Sequence, residues 1–309
     1  MKTEKCEFKG AKACKIITKK ATAIYLEANG ARLQSFKDNK TGRELLCQST
    51  EEIFVPQTDG SDYGACDVSG ADDMFPTIDP MVWKTGKRAG LLYPDHGSVA
   101  RRAAEVTVED ESVTFSLTDD RLGFSYEKRV RESENGGISV GYRIKELFGE
   151  DFHCYWAFHI MIAGEENAKI VTAYKEGEPG GICFDKTGRF GKRSDIVPVG
   201  GEMLAQAPYT PGIGAYKFFW LRPCNEGIAE YRLPEGGGLR LKYDGAKLPF
   251  VGVWVNNGSF KKLYNTALEL ATGPFDSPDN AIAAGTDTVI MAGGELCFGI
   301  ELEPIGYRG

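Results

Sequence analysis

Apolar and polar residues alternate along most of the chain, with turn-forming residues between the alternating runs, and no long stretch keeps apolar residues at i, i+3, i+4 and i+7. That pattern predicts strands. Val106-Thr-Val108 and Val113-Thr-Phe115-Ser-Leu117 flank the polar Glu109-Asp-Glu-Ser112, and Ile138-Ser-Val140-Gly-Tyr142-Arg-Ile144 follows an Asn135-Gly-Gly137 turn, so consecutive hairpins are expected. Leu239-Arg-Leu241-Lys-Tyr243 and Leu296-Cys-Phe298-Gly-Ile300-Glu-Leu302 repeat the alternation late in the chain. One short helical turn is predicted at Ser277-Pro278-Asp279, where serine caps, proline fits the first helical position and aspartate suits a helix N-terminus. There is no Pro- or Ser-rich linker and no internal repeat. The expected fold class is all-β: one large antiparallel β-sandwich over residues 1–309, with at most short helices.

The same period of two sorts the polar residues inside the strands. In a strand candidate from His153 to Ile162, Cys154, Trp156, Phe158, Ile160 and Ile162 fall on one face, and His153, Tyr155, Ala157, His159 and Met161 on the other. The first face reads as core, and the second as a wet or ligand-lined surface on which His153 rivals His159. Leu268 and Leu270 likewise point away from Ala267, Glu269 and Ala271, so Glu269 stands between two small neighbours with room for a ligand, although a solvent-facing strand glutamate has the same pattern. His96, in Tyr93-Pro-Asp-His-Gly97, fits a loop tip.

Composition narrows the partners. The formal charge of −7 gives no basic field for phosphate backbones, so nucleic acid is not expected, and a small molecule suits the balance better. No apolar segment approaches the length of a membrane span and the first residues carry no signal-like apolar stretch, so the expected location is cytoplasmic. Eight scattered cysteines without a Cys-x-x-Cys pair read as reduced, buried thiols rather than a disulfide framework or zinc site.

Several short motifs fall in a recognisable order. Asn29-Gly-Ala-Arg-Leu-Gln-Ser-Phe-Lys-Asp-Asn-Lys-Thr-Gly-Arg43, Gly70-Ala-Asp-Asp-Met-Phe-Pro76, Pro94-Asp-His-Gly97, Phe158-His159, Leu248-Pro-Phe-Val-Gly-Val-Trp254, Leu268-Glu269-Leu270 and Gly273-Pro-Phe-Asp-Ser-Pro-Asp279 are spread nearly end to end. In this order and spacing the chain resembles the aldose 1-epimerase, or galactose mutarotase-like, superfamily, including its hexose-6-phosphate mutarotase relatives. The resemblance implies the β-supersandwich of that family, a sugar or sugar phosphate as ligand, and His96, His159 and Glu269 as the catalytic residues. It departs from the family where an Asn-Arg pair precedes the first histidine, since Asp72-Asp73 stands there, and where an Asn-His-x-Tyr motif would hold the second, since Phe158-His159-Ile-Met161 stands there.

The chemistry implied is exchange of α and β anomers by ring opening and closure. Glu269 would take the C1 hydroxyl proton, raised toward useful basicity by partial desolvation, while His159 as imidazolium would protonate the ring oxygen and His96 would steady the open form. No metal or organic cofactor is called for, and the protein is expected to act as a monomer or homodimer. Candidate substrate-binding residues are Asp73, Arg101, Lys217, Trp254 and Tyr155, with Trp254 as a platform for sugar C–H groups and Arg101, Arg102 or Lys217 to meet a phosphate. Two other classes fit the same residues: a non-catalytic sugar-binding protein, and a hydrolase or lyase that would need a second carboxylate, for which Asp73 is the candidate.

Overall fold

The computed structural model describes residues 1–205 and 214–306. Two antiparallel sheets are built from the alternating segments. The larger runs in spatial order Lys2–Phe8, Ala11–Ile17, Ala21–Leu26, Leu33–Asp38, Ala71–Met74, Ala157–Ala163, Tyr264–Ala271, Phe250–Asn257, Gly214–Trp220, Pro179–Asp185 and Ile196–Pro198. The smaller runs Lys169–Thr172, Ile228–Arg232, Gly238–Tyr243, Glu295–Ile305, Ile138–Glu146, Phe124–Glu132, Val113–Asp119 and Glu105–Val108. The hairpins read from the sequence are among these pairs, Glu105–Val108 with Val113–Asp119 and Phe124–Glu132 with Ile138–Glu146.

The inner faces of the two sheets share one apolar core, to which Phe158, Ile160, Leu268 and Leu270 contribute from the larger sheet and Val140, Tyr142 and Phe298 from the smaller. Trp156, assigned to the core by parity, is fully buried; its ring centroid lies 4.5 Å from that of Phe298 and its indole N–H donates to the Tyr126 hydroxyl at 2.9 Å. The helix is short, Pro278–Ala283, with the Ser277 hydroxyl accepting from the Asn280 amide at 3.3 Å and proline in the first turn.

The long strand expected over residues 153–162 is two. Phe152–Cys154 pairs with Thr288–Ile290 in a separate two-stranded ribbon, and Ala157–Ala163 enters the larger sheet. The break carries His153 away from His159. Its ring meets the Asp287 carboxylate at 3.1 Å and stacks on Trp83, 5.4 Å between centroids.

Candidate functional site

The centre of the larger sheet places the acid–base residues by register. His159 is the direct cross-strand partner of Glu269, and Glu269 is flanked on its other side by Gly252. Because Phe158 and Ile160 turn inward with Leu268 and Leu270, His159 and Glu269 must both turn outward, where directly opposed side chains meet. His159 Nε2 lies 3.1 Å from Glu269 Oε1. Two strands further along, Lys217 reaches across so that its Nζ sits 2.7 Å from Glu269 Oε2 and 2.8 Å from Asp276 Oδ1. Imidazole, carboxylate, ammonium and carboxylate therefore stand in a row.

A cleft of about 520 Å³ opens over this row, and its wall and floor include His96, His159, Lys217, Trp254, Asn256 and Asp276. Glu269 lies just beneath the floor, fully buried behind His159 and Lys217. Each of its oxygens is met by one charged or polar neighbour, Oε1 by His159 and Oε2 by Lys217.

The charges settle one another. Burial alone would raise the pKa of Glu269, yet the Lys217 ammonium and His159 beside it hold its carboxyl well below the usual carboxylate range. The expectation of a glutamate raised by desolvation is thus corrected: the sequence gives no sign that a lysine from another strand would sit against it. Burial would push Lys217 down, but Asp276 and Glu269 together push it up, so it is a firm cation. Burial pushes Asp276 up against the opposing pull of Lys217.

His96 reaches the cleft from a loop. Its backbone is left-handed, φ +58°, a conformation histidine tolerates better than most residues, and its amide donates to the Ile78 carbonyl at 2.7 Å. Gly97 follows with φ +78°, where any Cβ would collide with the Phe75 backbone. The His96 ring bonds the Asp95 carboxylate through Nδ1 at 2.9 Å and lies parallel to the Tyr63 ring, 3.5 Å between centroids. Tyr63 in turn donates to Asp72 at 3.3 Å, and Asp72 pairs with the buried Arg32 at 2.7 Å.

Of the expected binding residues, Lys217 and Trp254 line the cleft and three do not. Asp73 points the other way, into the core between the sheets, where it pairs with Lys128 and accepts from the Tyr142 hydroxyl at 3.0 Å; it is Asp72, the register partner of His159, that shares the cleft face. Arg101 donates to the carbonyls of Thr58 and Asp95, the latter at 3.0 Å, and so ties loops together behind His96. Tyr155 has the parity of His159 but is covered, packed with Ile78, Cys183, Phe219 and Phe250. Lys217, though charged, is buried.

Asp276 and Tyr63 were not singled out by the sequence. Asp276 stood in view within Gly273-Pro-Phe-Asp-Ser-Pro-Asp279, but its role rests on a left-handed backbone at Phe275 and Asp276, both φ +68°, that no local pattern announces. Among the described residues no group of His, Cys, Asp and Glu is placed to hold a metal ion, and no helix is long and apolar enough to cross a membrane.

No family model matches the sequence, and no curated protein matches it either. Solved structures do. A galactose mutarotase-like protein from Lactobacillus casei superposes with a TM-score of 0.67 at 16% identity, covering 94% of this chain and 99% of that one. One from Clostridium acetobutylicum gives 0.68 at 12% identity, covering 100% and 99%. A candidate aldose 1-epimerase from Klebsiella pneumoniae gives 0.72 at 13% identity, covering 96% and 80%. The chain has the fold of the galactose mutarotase-like proteins.

Proposed function

We propose that the protein is a mutarotase that exchanges the α and β anomers of an aldose. The observation that carries this reading is the buried contact between His159 and Glu269 under the floor of an open cleft, an acid and a base 3.1 Å apart on neighbouring strands. Ring opening needs a proton removed from the C1 hydroxyl and one delivered to the ring oxygen, two atoms bonded to the same carbon. Adjacent acid and base suit that demand.

In the forward direction Glu269 takes the C1 hydroxyl proton while His159, as imidazolium, protonates the ring oxygen, and the C1–O5 bond breaks to give the open aldehyde. Rotation about the C1–C2 bond presents the other carbonyl face. Closure returns both protons and leaves both residues as they began. His96, held between Asp95 and Tyr63, donates from its free ring nitrogen to a hydroxyl or to the ring oxygen. Trp254, with Phe184 and Phe260 at 5.7 and 5.4 Å, offers an aromatic wall for the C–H face of the sugar.

The charge around the cleft favours the free sugar over its phosphate. Asp62, Asp79 and Asp95 contribute carboxylates to the walls, while Arg193 is engaged by Asp79 and Lys261 by the Cys66 carbonyl. A hydrolase reading is weakened because Asp73, its second carboxylate, sits on the core side of the sheet. The discriminating experiment follows α/β exchange by NMR with purified protein: a mutarotase accelerates it, whereas a sugar-binding protein of the same fold binds the sugar and leaves exchange at the spontaneous rate.

A further inference from the structure

Resting on the mutarotase reading, we propose that Asp276 is a positioning residue that keeps a second berth for the Lys217 ammonium, so that a sugar hydroxyl can replace Lys217 at Glu269. Three observations support it. Lys217 Nζ is nearly equidistant from the two carboxylates, 2.7 Å from Glu269 and 2.8 Å from Asp276. Glu269 is closed off from the cleft, whereas Lys217 and Asp276 line it. Asp276 itself cannot drift, because its carbonyl accepts from the amides of both Ile78 and Asp79 at 2.9 Å and Asn280 Nδ2 holds the carbonyl of Phe275 at 2.7 Å.

The physical argument concerns a buried cation. For the C1 hydroxyl to reach Glu269, the lysine must give way, and a buried ammonium stripped of its only carboxylate is strongly disfavoured. With Asp276 beside it, Lys217 exchanges a shared pair for a single one and is never unpaired. The same anchor serves His96, since Ile78 donates its amide to Asp276 and accepts the His96 amide at 2.7 Å, so one residue fixes the distance between the two sides of the cleft.

Asp276→Asn separates these roles. Asparagine accepts the left-handed backbone and keeps the carbonyl's bonds, but removes the charge that receives Lys217. The expected result is a fall in kcat/KM for anomer exchange of roughly tenfold or more, with an unchanged melting temperature and recovery in Asp276→Glu. In a Lys217→Met background the same Asp276→Asn change costs little, because the cation that needed the berth is gone; a purely structural anchor would cost the same in both backgrounds. Wild-type kcat/KM in Asp276→Asn, or an equal loss with and without Lys217, overturns the proposal; should Asp276→Asn unfold, Asp276→Ser makes the same comparison. Failure of the wild-type protein to accelerate exchange of any aldose would instead remove the mutarotase reading itself, and this inference with it.

Discussion

His159 and Glu269 are direct register partners on adjacent strands, and their side chains meet at 3.1 Å on the outer face of the larger sheet. Neither residue can be moved by one position without sending it into the core, because Phe158 and Leu270, and Ile160 and Leu268, occupy the opposite face on either side. The two residues proposed as acid and base are therefore fixed by the same alternation that builds the sandwich.

Substitution of either should abolish catalysis while sparing the fold. Glu269→Gln leaves Lys217 paired with Asp276, and His159→Asn leaves Glu269 paired with Lys217, so neither strands a buried charge. Each is expected to lower kcat by about 10²–10⁴-fold, read by polarimetry, with a circular dichroism spectrum and melting curve close to wild type.

Lys217→Met should act through charge. In the native protein Glu269 is held below its ordinary value of 4.5, so it stays ionised throughout the mildly acidic range and its protonation imposes no acidic limb there on kcat/KM. Without Lys217, burial becomes the governing influence on both Glu269 and Asp276 and raises them. An acidic limb should then appear above pH 4.5, the ordinary glutamate value. The sign for stability follows: carboxyls raised in the folded state favour folding most at low pH and lose that contribution as pH rises through their folded values. Lys217→Met should thus be about 3 kcal/mol or more less stable than wild type at neutral pH, and less so near pH 4, as urea titrations at the two pH values will read.

Tyr63 should matter through its ring and not its hydroxyl. The parallel stack on His96 is close, while the bond to Asp72 is long at 3.3 Å. Tyr63→Phe should retain kcat, and Tyr63→Ala should lose about two- to tenfold, the equivalent of an aromatic contact worth roughly 0.5–1.5 kcal/mol.

Gly252, the cross-strand partner of Glu269, leaves room over its own backbone for the Phe219 ring. A Cβ there would sit 2.6 Å from the Phe219 ring. Gly252→Ala should force Phe219 aside and lower the unfolding free energy by about 1–3 kcal/mol, measured by urea denaturation.

Much of this was legible in the sequence because alternation carries its own geometry. Phe158-His159-Ile160 and Leu268-Glu269-Leu270 contrast apolar with polar at each step, so parity assigned their faces, and the hairpins and the Ser277 cap were legible for similar local reasons. Asp72-Asp73 offered no contrast: two adjacent acids in a four-residue strand, every position of which is buried, give no clue to which one faces the core. Lys217 lies in Gly214–Trp220, a strand buried along both faces, where an apolar run hides the parity of its one charged residue. In the row from Glu269 through Lys217 to Asp276 the two acids lie close in sequence, but Lys217 comes from a strand distant in the chain, and only the tertiary arrangement brings it between them. Arg101 reads as a ligand-binding arginine in sequence, yet the carbonyls of Thr58 and Asp95 claim its guanidinium.

The central claim is that Glu269 and His159 move protons on the anomeric centre of a free sugar. Magnetisation-transfer NMR between the α and β anomeric protons of a panel of aldoses and their 6-phosphates, with wild-type protein and Glu269→Gln side by side, tests it most directly. The account expects exchange to rise in proportion to wild-type protein for at least one free aldose, less for its 6-phosphate, and to stay at the spontaneous rate with Glu269→Gln. Sugar binding without any rise in exchange, or equal acceleration by Glu269→Gln, would contradict it.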